Sequence, residues 1–130
     1  MTRNAFTHAV RQHADGLTVT ATVSGDWDML SDGGLVEQLR RLLDEGVRYI
    51  VIDAAQLDFC DSTRLGALVG LHQATAERGG WLRIVAPTYA VRRPLELTGL
   101  DQVIDIRDAD EQDSGITGAQ RRDDSSLSGG

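Results

Sequence analysis

Residues 49–70 read YIVIDAAQLDFCDSTRLGALVG, and the rest of the predicted fold is arranged around this stretch. It opens with a run of apolar, largely β-branched residues that ends at Asp53, which is the pattern of a buried strand. After a short acidic loop, apolar residues return at helical spacing from Ser62 onward. The stretch therefore predicts a strand, a loop and a helix, with Ser62 at the start of the helix.

Ser62 is the residue on which a functional interpretation centres. The first turn of a helix carries unpaired backbone N–H groups and the positive end of the helix dipole, and both favour an anion. A phosphate on this serine would be well placed. A serine at the same position can also serve only as a helix cap, and the residues alone leave both interpretations open.

The chain before this stretch predicts an antiparallel hairpin and a helix. Apolar and polar residues alternate over residues 17–23 and, less clearly, over residues 6–13, and an Asp-Gly pair between them is a strong turn signal. Residues 25–32 are rich in turn formers and predict a loop. Apolar residues at helical spacing over residues 35–43 then predict an amphipathic helix.

The chain after it predicts a strand at residues 81–86, a short helix that ends near Gly99 and a last strand at residues 103–106. Because Pro94 disfavours a helix interior, this helix is expected to start late, near Val91, or to be kinked. Strand, helix and strand with short links imply a right-handed parallel crossover. The sequence therefore predicts an α/β fold with one mixed, mostly parallel sheet, an N-terminal antiparallel hairpin, and helices packed mainly on one face.

Residues 58–69, DFCDSTRLGALV, closely resemble the D-x-x-x-D-S-[ST]-G-L-G-x-L signature of STAS domains, and specifically of the bacterial anti-sigma factor antagonists. Three further segments resemble family segments in the family's order: GDWDML at residues 25–30, ERGG at residues 77–80 and LELTGLD at residues 95–101. The resemblance implies a single STAS domain over residues 1–107.

In the anti-sigma factor antagonists, the first serine of this signature is phosphorylated by the anti-sigma factor, which is itself an ATP-binding serine kinase. A phosphoserine phosphatase reverses the step. The unphosphorylated form binds the anti-sigma factor and so frees the sigma factor. The resemblance therefore implies that Ser62 is the phosphoacceptor, with Asp61 and Asp58 near it, Asp28 as the family aspartate on a nearby loop, and Thr63 as a second, less favoured acceptor.

The departure from the signature that matters is at position 64, because Arg64 stands where the family has glycine. Arginine is a good helix former. Two residues on from Ser62, its side chain points to another side of the helix, yet it is long enough either to reach a phosphate on Ser62 or to obstruct a kinase. Gly66 and Gly70 lie on the same side of the helix as Ser62 by i+4 spacing. They predict either close packing inside the domain or a flat ledge on which a partner meets the serine.

The charge distribution argues against nucleic acid and anionic membranes as partners. The net charge is −7 at pH 7, whereas both of these partners call for a basic surface. Residues 108–130 hold 6 acidic and 2 basic side chains among many Asp, Ser and Gly residues, and they are predicted to form a disordered acidic tail. With no apolar run long enough to cross a membrane and no signal-peptide pattern, the chain is expected in the cytoplasm.

The inventory of reactive side chains argues against an enzyme. The sequence has no G-x-S-x-G elbow, no P-loop and no H-E-x-x-H motif, and its single cysteine, Cys60, argues against a thiolate metal site. His72 is about 15 Å from Ser62 along the helix, too far to be its base. No cofactor or metal is therefore expected. The alternative to a phospho-switch is a STAS module that acts as a fixed scaffold in a stress-sensing assembly or a transporter complex.

Overall fold

The pairing of strands in chain order builds the fold, which the computed structural model describes for residues 4–109. Within this range the strands are β1 (Thr7–Gln12), β2 (Thr18–Trp27), β3 (Tyr49–Cys60), β4 (Trp81–Val85) and β5 (Asp105–Arg107). The helices are α1 (Leu35–Asp44), α2 (Ser62–Glu77) and α3 (Tyr89–Leu97), and a 3₁₀ turn follows at Leu100–Gln102. The tail predicted for residues 108–130 lies, apart from its first two positions, outside the described residues.

The sheet keeps the order β1-β2-β3-β4-β5, so each strand lies beside its neighbours in sequence. β1 and β2 are antiparallel, and the three later pairs are parallel, with Ile50 beside both Val19 and Leu82. The hairpin and the parallel crossovers that the sequence predicts are therefore confirmed.

The hydrophobic core lies on one face of the sheet. Alternate residues of the central strands join side chains of all three helices in one buried cluster, which includes Val19, Ile50, Ile84, Leu39, Leu71 and Leu95. On the opposite face, the ring centroids of Tyr49 and Trp81 are 5.1 Å apart, and the Arg83 guanidinium carbon lies 4.1 Å from the Trp81 centroid. The predicted packing of the helices mainly on one face is confirmed.

Two segments predicted as loops contain strand. Residues 25–27 continue β2, residues 54–60 continue β3, and these two extensions pair with each other through two shifts of register. The loop prediction for both was wrong because it rested on their polar and turn-forming side chains. Backbone pairing, together with the burial of Leu57 and Cys60, holds the β3 extension in place.

Helix α3 begins before Val91, whereas a start near Val91 was one of the two arrangements predicted for this helix because it contains Pro94. It begins at Tyr89, after Thr88 in an extended conformation, and Pro94 lies inside it, so the late start near Val91 was wrong. The Thr88 hydroxyl donates a hydrogen bond of 2.9 Å to the Leu57 carbonyl. This contact links the start of the helix to residues 54–60 of β3. It could not be predicted from any local sequence pattern.

The backbone at Gly80, just before β4, lies very close to the backbone of Arg48, just before β3. A Cβ atom on Gly80 would lie 1.7 Å from the carbonyl oxygen of Arg48, which accepts a hydrogen bond from Trp81 N at 3.1 Å. We expect Gly80→Ala to lower the free energy of unfolding by about 2 kcal/mol or more, because the backbone must shift to admit the methyl group. Urea denaturation followed by circular dichroism measures this change.

Gly66→Ala is the matched control for this substitution. A Cβ atom on Gly66 would meet nothing within 4 Å, and a helical backbone favours alanine over glycine. This variant should keep or raise the stability of the parent chain. Equal stability of the two variants would contradict the close approach at Gly80.

Candidate functional site

Ser62 is the first residue of α2, and it is exposed. The residue before it, Asp61, has an extended backbone, and its Oδ1 accepts a hydrogen bond of 2.8 Å from Arg64 N. Asp61, rather than Ser62, is therefore the N-cap of the helix. Ser62 lies at the positive end of the helix dipole without being needed as the cap.

Asp61 also joins the start of α2 to residues 28–34, which we call the β2–α1 loop. Its second oxygen, Oδ2, accepts a hydrogen bond of 3.1 Å from Met29 N, and its own backbone N–H donates to the Trp27 carbonyl at 3.2 Å. One carboxylate thus caps the helix and holds the loop beside the candidate phosphoacceptor.

The other acidic residues predicted near Ser62 shape the surroundings of the site. Asp28 is buried, and its Oδ1 accepts hydrogen bonds from Leu30 N and Ser31 Oγ, each at 2.9 Å, so it folds the β2–α1 loop onto itself. Asp58 is exposed on β3, where its Oδ2 accepts a hydrogen bond of 2.6 Å from Asn4 Nδ2. Of the three predicted acidic neighbours, Asp61 is adjacent to Ser62 in the chain, Asp28 lies on the β2–α1 loop and Asp58 lies on β3.

Three large apolar side chains beside these carboxylates are exposed to solvent. Met29, Leu30 and Phe59 are 63%, 86% and 46% exposed, and we call them the apolar patch. They line an open groove of about 510 Å³ whose other lining residues are Asp26, Asp28 and Asp61. Exposed apolar surface with a polar rim is typical of sites where proteins interact. This patch was not predicted from the sequence, because the local pattern of residues does not show which loop or strand side chains stay exposed.

Arg64 forms an ion pair with Asp32 of the β2–α1 loop. Its Nη1 lies 2.8 Å from Asp32 Oδ1, and Trp27 Nε1 donates a hydrogen bond of 2.8 Å to the same oxygen. The side chains of Arg64 and Asp32 are only 16% and 19% exposed. The pair is therefore a partly buried link between α2 and the loop. No spacing in the sequence predicted that Asp32 and Trp27 would contact each other or Arg64.

These contacts lower the pKa of Asp32. Burial by itself raises the pKa of this carboxyl group, but the hydrogen bonds from Trp27 and Arg64 outweigh burial and hold the pKa below its ordinary value of 3.8. Asp32 is therefore ionised at neutral pH and gives Arg64 a charged partner.

The two small residues of the predicted ledge have different surroundings. A Cβ atom on Gly66 would meet nothing within 4 Å, whereas one on Gly70 would lie 2.8 Å from Nη2 of Arg40 on α1. Thr63, the second candidate acceptor, is exposed beside Ser62. The open part of the ledge is thus the end nearer Ser62.

Residues 4–109 hold neither a cluster of metal ligands nor a helix that could span a membrane. In this range no three or more His, Cys, Asp or Glu side chains are grouped so that they could hold a metal ion. Across the same residues, no helix combines the length and the apolar character needed to cross a membrane.

Comparison with known proteins assigns the chain to a family. The sequence model of the STAS domain matches residues 9–112. An anti-sigma-B factor antagonist of Bacillus subtilis is 30% identical over 97 residues, which cover 75% of this chain and 86% of that protein. This chain is a STAS domain of the anti-sigma factor antagonist family. The resemblance read from its signature is confirmed.

Two further proteins are similar to this STAS domain. A Thermotoga maritima protein named as an anti-sigma factor antagonist is 32% identical over 66 residues, or 51% of this chain, and the match spans just over half of that relative, 58% of its length. The crystal structure of an anti-sigma factor antagonist from Mycobacterium paratuberculosis aligns with a TM-score of 0.69 and 29% identity, covering 79% of this chain and 86% of that one. The predicted fold class is confirmed by this likeness.

The lowered pKa of Asp32 gives the ion pair a defined pH dependence. Because the pKa is lower in the folded chain than in the unfolded chain, the stability that this carboxylate contributes is present above pH 3.8 and is lost as the pH falls through the lower, folded value. We expect Asp32→Asn to lower the free energy of unfolding by about 1.5–3 kcal/mol at neutral pH, since it removes a charged hydrogen-bond acceptor.

The difference between Asp32→Asn and the parent chain should shrink as the pH falls below 3.8. Urea unfolding at a series of pH values measures it. Asp44→Asn is the control, because Asp44 pairs with Arg78 at 2.9 Å on the surface, where an ion pair contributes about 0–1 kcal/mol. A deficit for Asp32→Asn that stays constant with pH would rule out the assigned ionisation.

Cys60 is predicted to be unreactive in the folded chain. Burial, and then the nearby Asp61 carboxylate, raise the pKa of its thiol to about 12. Since the thiolate is the reactive form, alkylation by iodoacetamide at mildly alkaline pH should be about a thousandfold slower than in the denatured chain. Mass spectrometry of the two reactions measures the ratio, and comparable rates would show that the thiol is accessible and ionised.

Proposed function

We propose that this STAS domain acts as an anti-sigma factor antagonist in a partner-switching circuit. Unphosphorylated, it binds an anti-sigma factor that is an ATP-binding serine kinase and so releases a sigma factor; phosphorylation of Ser62 ends that binding. The observation that carries the proposal is an exposed serine in the first turn of a 16-residue helix whose cap is supplied by Asp61. Such a serine can be modified without removal of the helix cap.

The apolar patch supports a protein partner next to this serine. Asp61 lines the same groove as Met29, Leu30 and Phe59, and it directly precedes Ser62. The carboxylates of Asp26 and Asp28 also line the groove. A partner that fits presents apolar side chains flanked by Arg or Lys, because charge complementarity guides the encounter and apolar contact holds the centre of an interface.

Arg64 does not stand in the way of such a kinase in the observed arrangement. Its guanidinium is engaged with Asp32, and its side chain is largely buried. Thr63 and Gly66, which flank Ser62 on α2, are exposed and leave the hydroxyl approachable. The departure from the family glycine is therefore compatible with phosphorylation.

Phosphorylation would oppose the complex through charge and desolvation. A phosphoserine carries about −1.5 to −2 charges at neutral pH. The new charge would lie beside Asp61 and opposite the phosphates of the nucleotide that the kinase holds, which are also anionic. A penalty of about 3 kcal/mol weakens binding roughly a hundredfold. The first turn of α2 would accommodate the phosphate, so the domain stays folded.

In this proposal the chain is a substrate and a binding partner rather than an enzyme. A phosphoserine phosphatase removes the phosphate and restores the binding surface. The chain acts in the cytoplasm, together with the sigma factor that the circuit controls.

The test captures partners from host lysate with the full-length chain and its variants. We expect the unmodified chain to capture an ATP-binding serine kinase and Ser62→Asp to bind it about a hundredfold more weakly. Thr63→Asp is the matched control, because it adds the same charge one residue along the same exposed turn, and it should weaken binding far less. Incubating the captured kinase with ATP and the chain should place phosphate on Ser62, as located by mass spectrometry.

The apolar patch is tested with the same captured kinase. Leu30→Ala should weaken binding about tenfold, as loss of a central apolar contact does. Leu97→Ala is the control, since Leu97 is exposed at the far end of α3. If the unmodified chain and Ser62→Asp capture the same transporter or assembly subunits equally, the chain is a fixed scaffold and the proposal is overturned.

A further inference from the structure

Arg64 stands where the family signature has glycine, and it connects the site of Ser62 to the β2–α1 loop. Its Nη1 pairs with Asp32 Oδ1, while its backbone N–H is held by Asp61. Its Nε is buried and has no hydrogen-bond partner in the part of the chain that the structure describes. Because a buried donor without an acceptor is unfavourable, the guanidinium is incompletely satisfied in its present position.

Asp32 does not depend on Arg64 alone. Its Oδ1 also accepts the hydrogen bond of 2.8 Å from Trp27 Nε1, and its Oδ2 accepts a longer one of 3.4 Å from Val36 N. If the Arg64 guanidinium moved away, the carboxylate would keep these two N–H donors. The contact that can be exchanged is therefore the one made by Arg64.

Ser62 and Arg64 are close enough for a phosphate on one to meet the guanidinium of the other. Residues two apart in an α-helix have Cα atoms about 5.4 Å apart, and their Cα–Cβ bonds tilt toward the N-terminus of the helix. Side chains two residues apart do not face each other along a helix, but in the first turn no preceding turn of the helix lies between them. An arginine side chain, with three methylenes before the guanidinium, spans that separation.

We propose that Arg64 is the receptor for the phosphate on Ser62. On phosphorylation its guanidinium exchanges Asp32 for the phosphate, and the β2–α1 loop loses this link to the start of α2. The phosphate is the stronger competitor because it carries more charge than a carboxylate and can bind a guanidinium through two oxygens, whereas Asp32 accepts from Arg64 through Oδ1. The exchange also brings a positive charge to a site that would otherwise hold the phosphate beside the Asp61 carboxylate.

The exchange gives phosphorylation a second route to the partner surface. The β2–α1 loop carries Met29 and Leu30, two of the three side chains of the apolar patch. Loss of the Arg64 link loosens that loop in the same step that adds charge beside it. The biological role of this exchange rests on the proposed function, whereas the exchange itself is a property of this chain.

The experiment uses the full-length chain with phosphoserine installed at position 62 during translation, so no kinase is required. Phosphorus-31 NMR follows the titration of the phosphate. We expect its midpoint in the parent sequence to lie about one pH unit lower than in Arg64→Gln, because a guanidinium in contact favours the dianion.

The two tryptophans of the chain supply a second measurement. The indole N–H signal of Trp27 should move on phosphorylation, because the oxygen to which it donates loses Arg64. The indole of Trp81 is an internal control, since Trp81 lies on β4 against Arg83. Its signal should stay in place.

Asp32→Asn separates a phosphate receptor from a merely structural residue. This variant removes the charge that competes for Arg64, so its phosphate should titrate at the pH of the parent or lower, whereas Arg64→Gln shifts the midpoint upward. A general loosening of the site would shift both variants in the same direction.

Equal midpoints in the parent chain and Arg64→Gln would overturn the proposal and assign the phosphate to the backbone N–H groups of α2 alone. A Trp27 signal that phosphorylation leaves unchanged would overturn it as well. Because the phosphoserine is installed directly, these outcomes are independent of whether a kinase modifies Ser62. That question is decided by the capture experiment.

Discussion

The parallel pairing of β3 with β2, continued beyond the end of β4, is the constraint on which the site depends. β3 pairs with β4 only over residues 49–53, yet it pairs with β2 as far as Cys60. Because residues 54–60 of β3 pair with the end of β2, the start of α2 lies next to the β2–α1 loop. Asp61 then fixes this proximity, since it caps α2 and accepts a hydrogen bond from Met29 N.

Around this constraint, each carboxylate near Ser62 is held by hydrogen-bond donors, either from its own loop or from another segment of the chain. Asp28 binds within the β2–α1 loop, Asp58 accepts a bond from the Asn4 side chain, and Asp32 pairs with Arg64. The acidic groups are therefore pre-organised rather than free to move apart. A phosphate added at this site must compete for cations or N–H groups that already have partners. One phosphate can therefore change several contacts together.

Much of the fold follows from local pattern. The hairpin, the helix starting at Ser62 and the parallel crossovers were predicted because each depends on periodicity or on the handedness of short links. The errors lie at residues 25–27 and 54–60, which were predicted as loop because of their polar and turn-forming residues. Their strand conformation comes from pairing with each other, at a register that shifts twice. Tertiary pairing there overrides local propensity.

The family and the place of Ser62 at the start of a helix can be predicted from the chain alone, because a signature and an apolar period are both local. The pairing of Arg64 with Asp32, the contact of Asp61 with Met29 and the exposure of the apolar patch are visible only in the folded chain. Both contacts join residues 32 positions apart. Their distance depends on how β2 and β3 are paired, because the β2–α1 loop follows the end of β2 and α2 follows the end of β3.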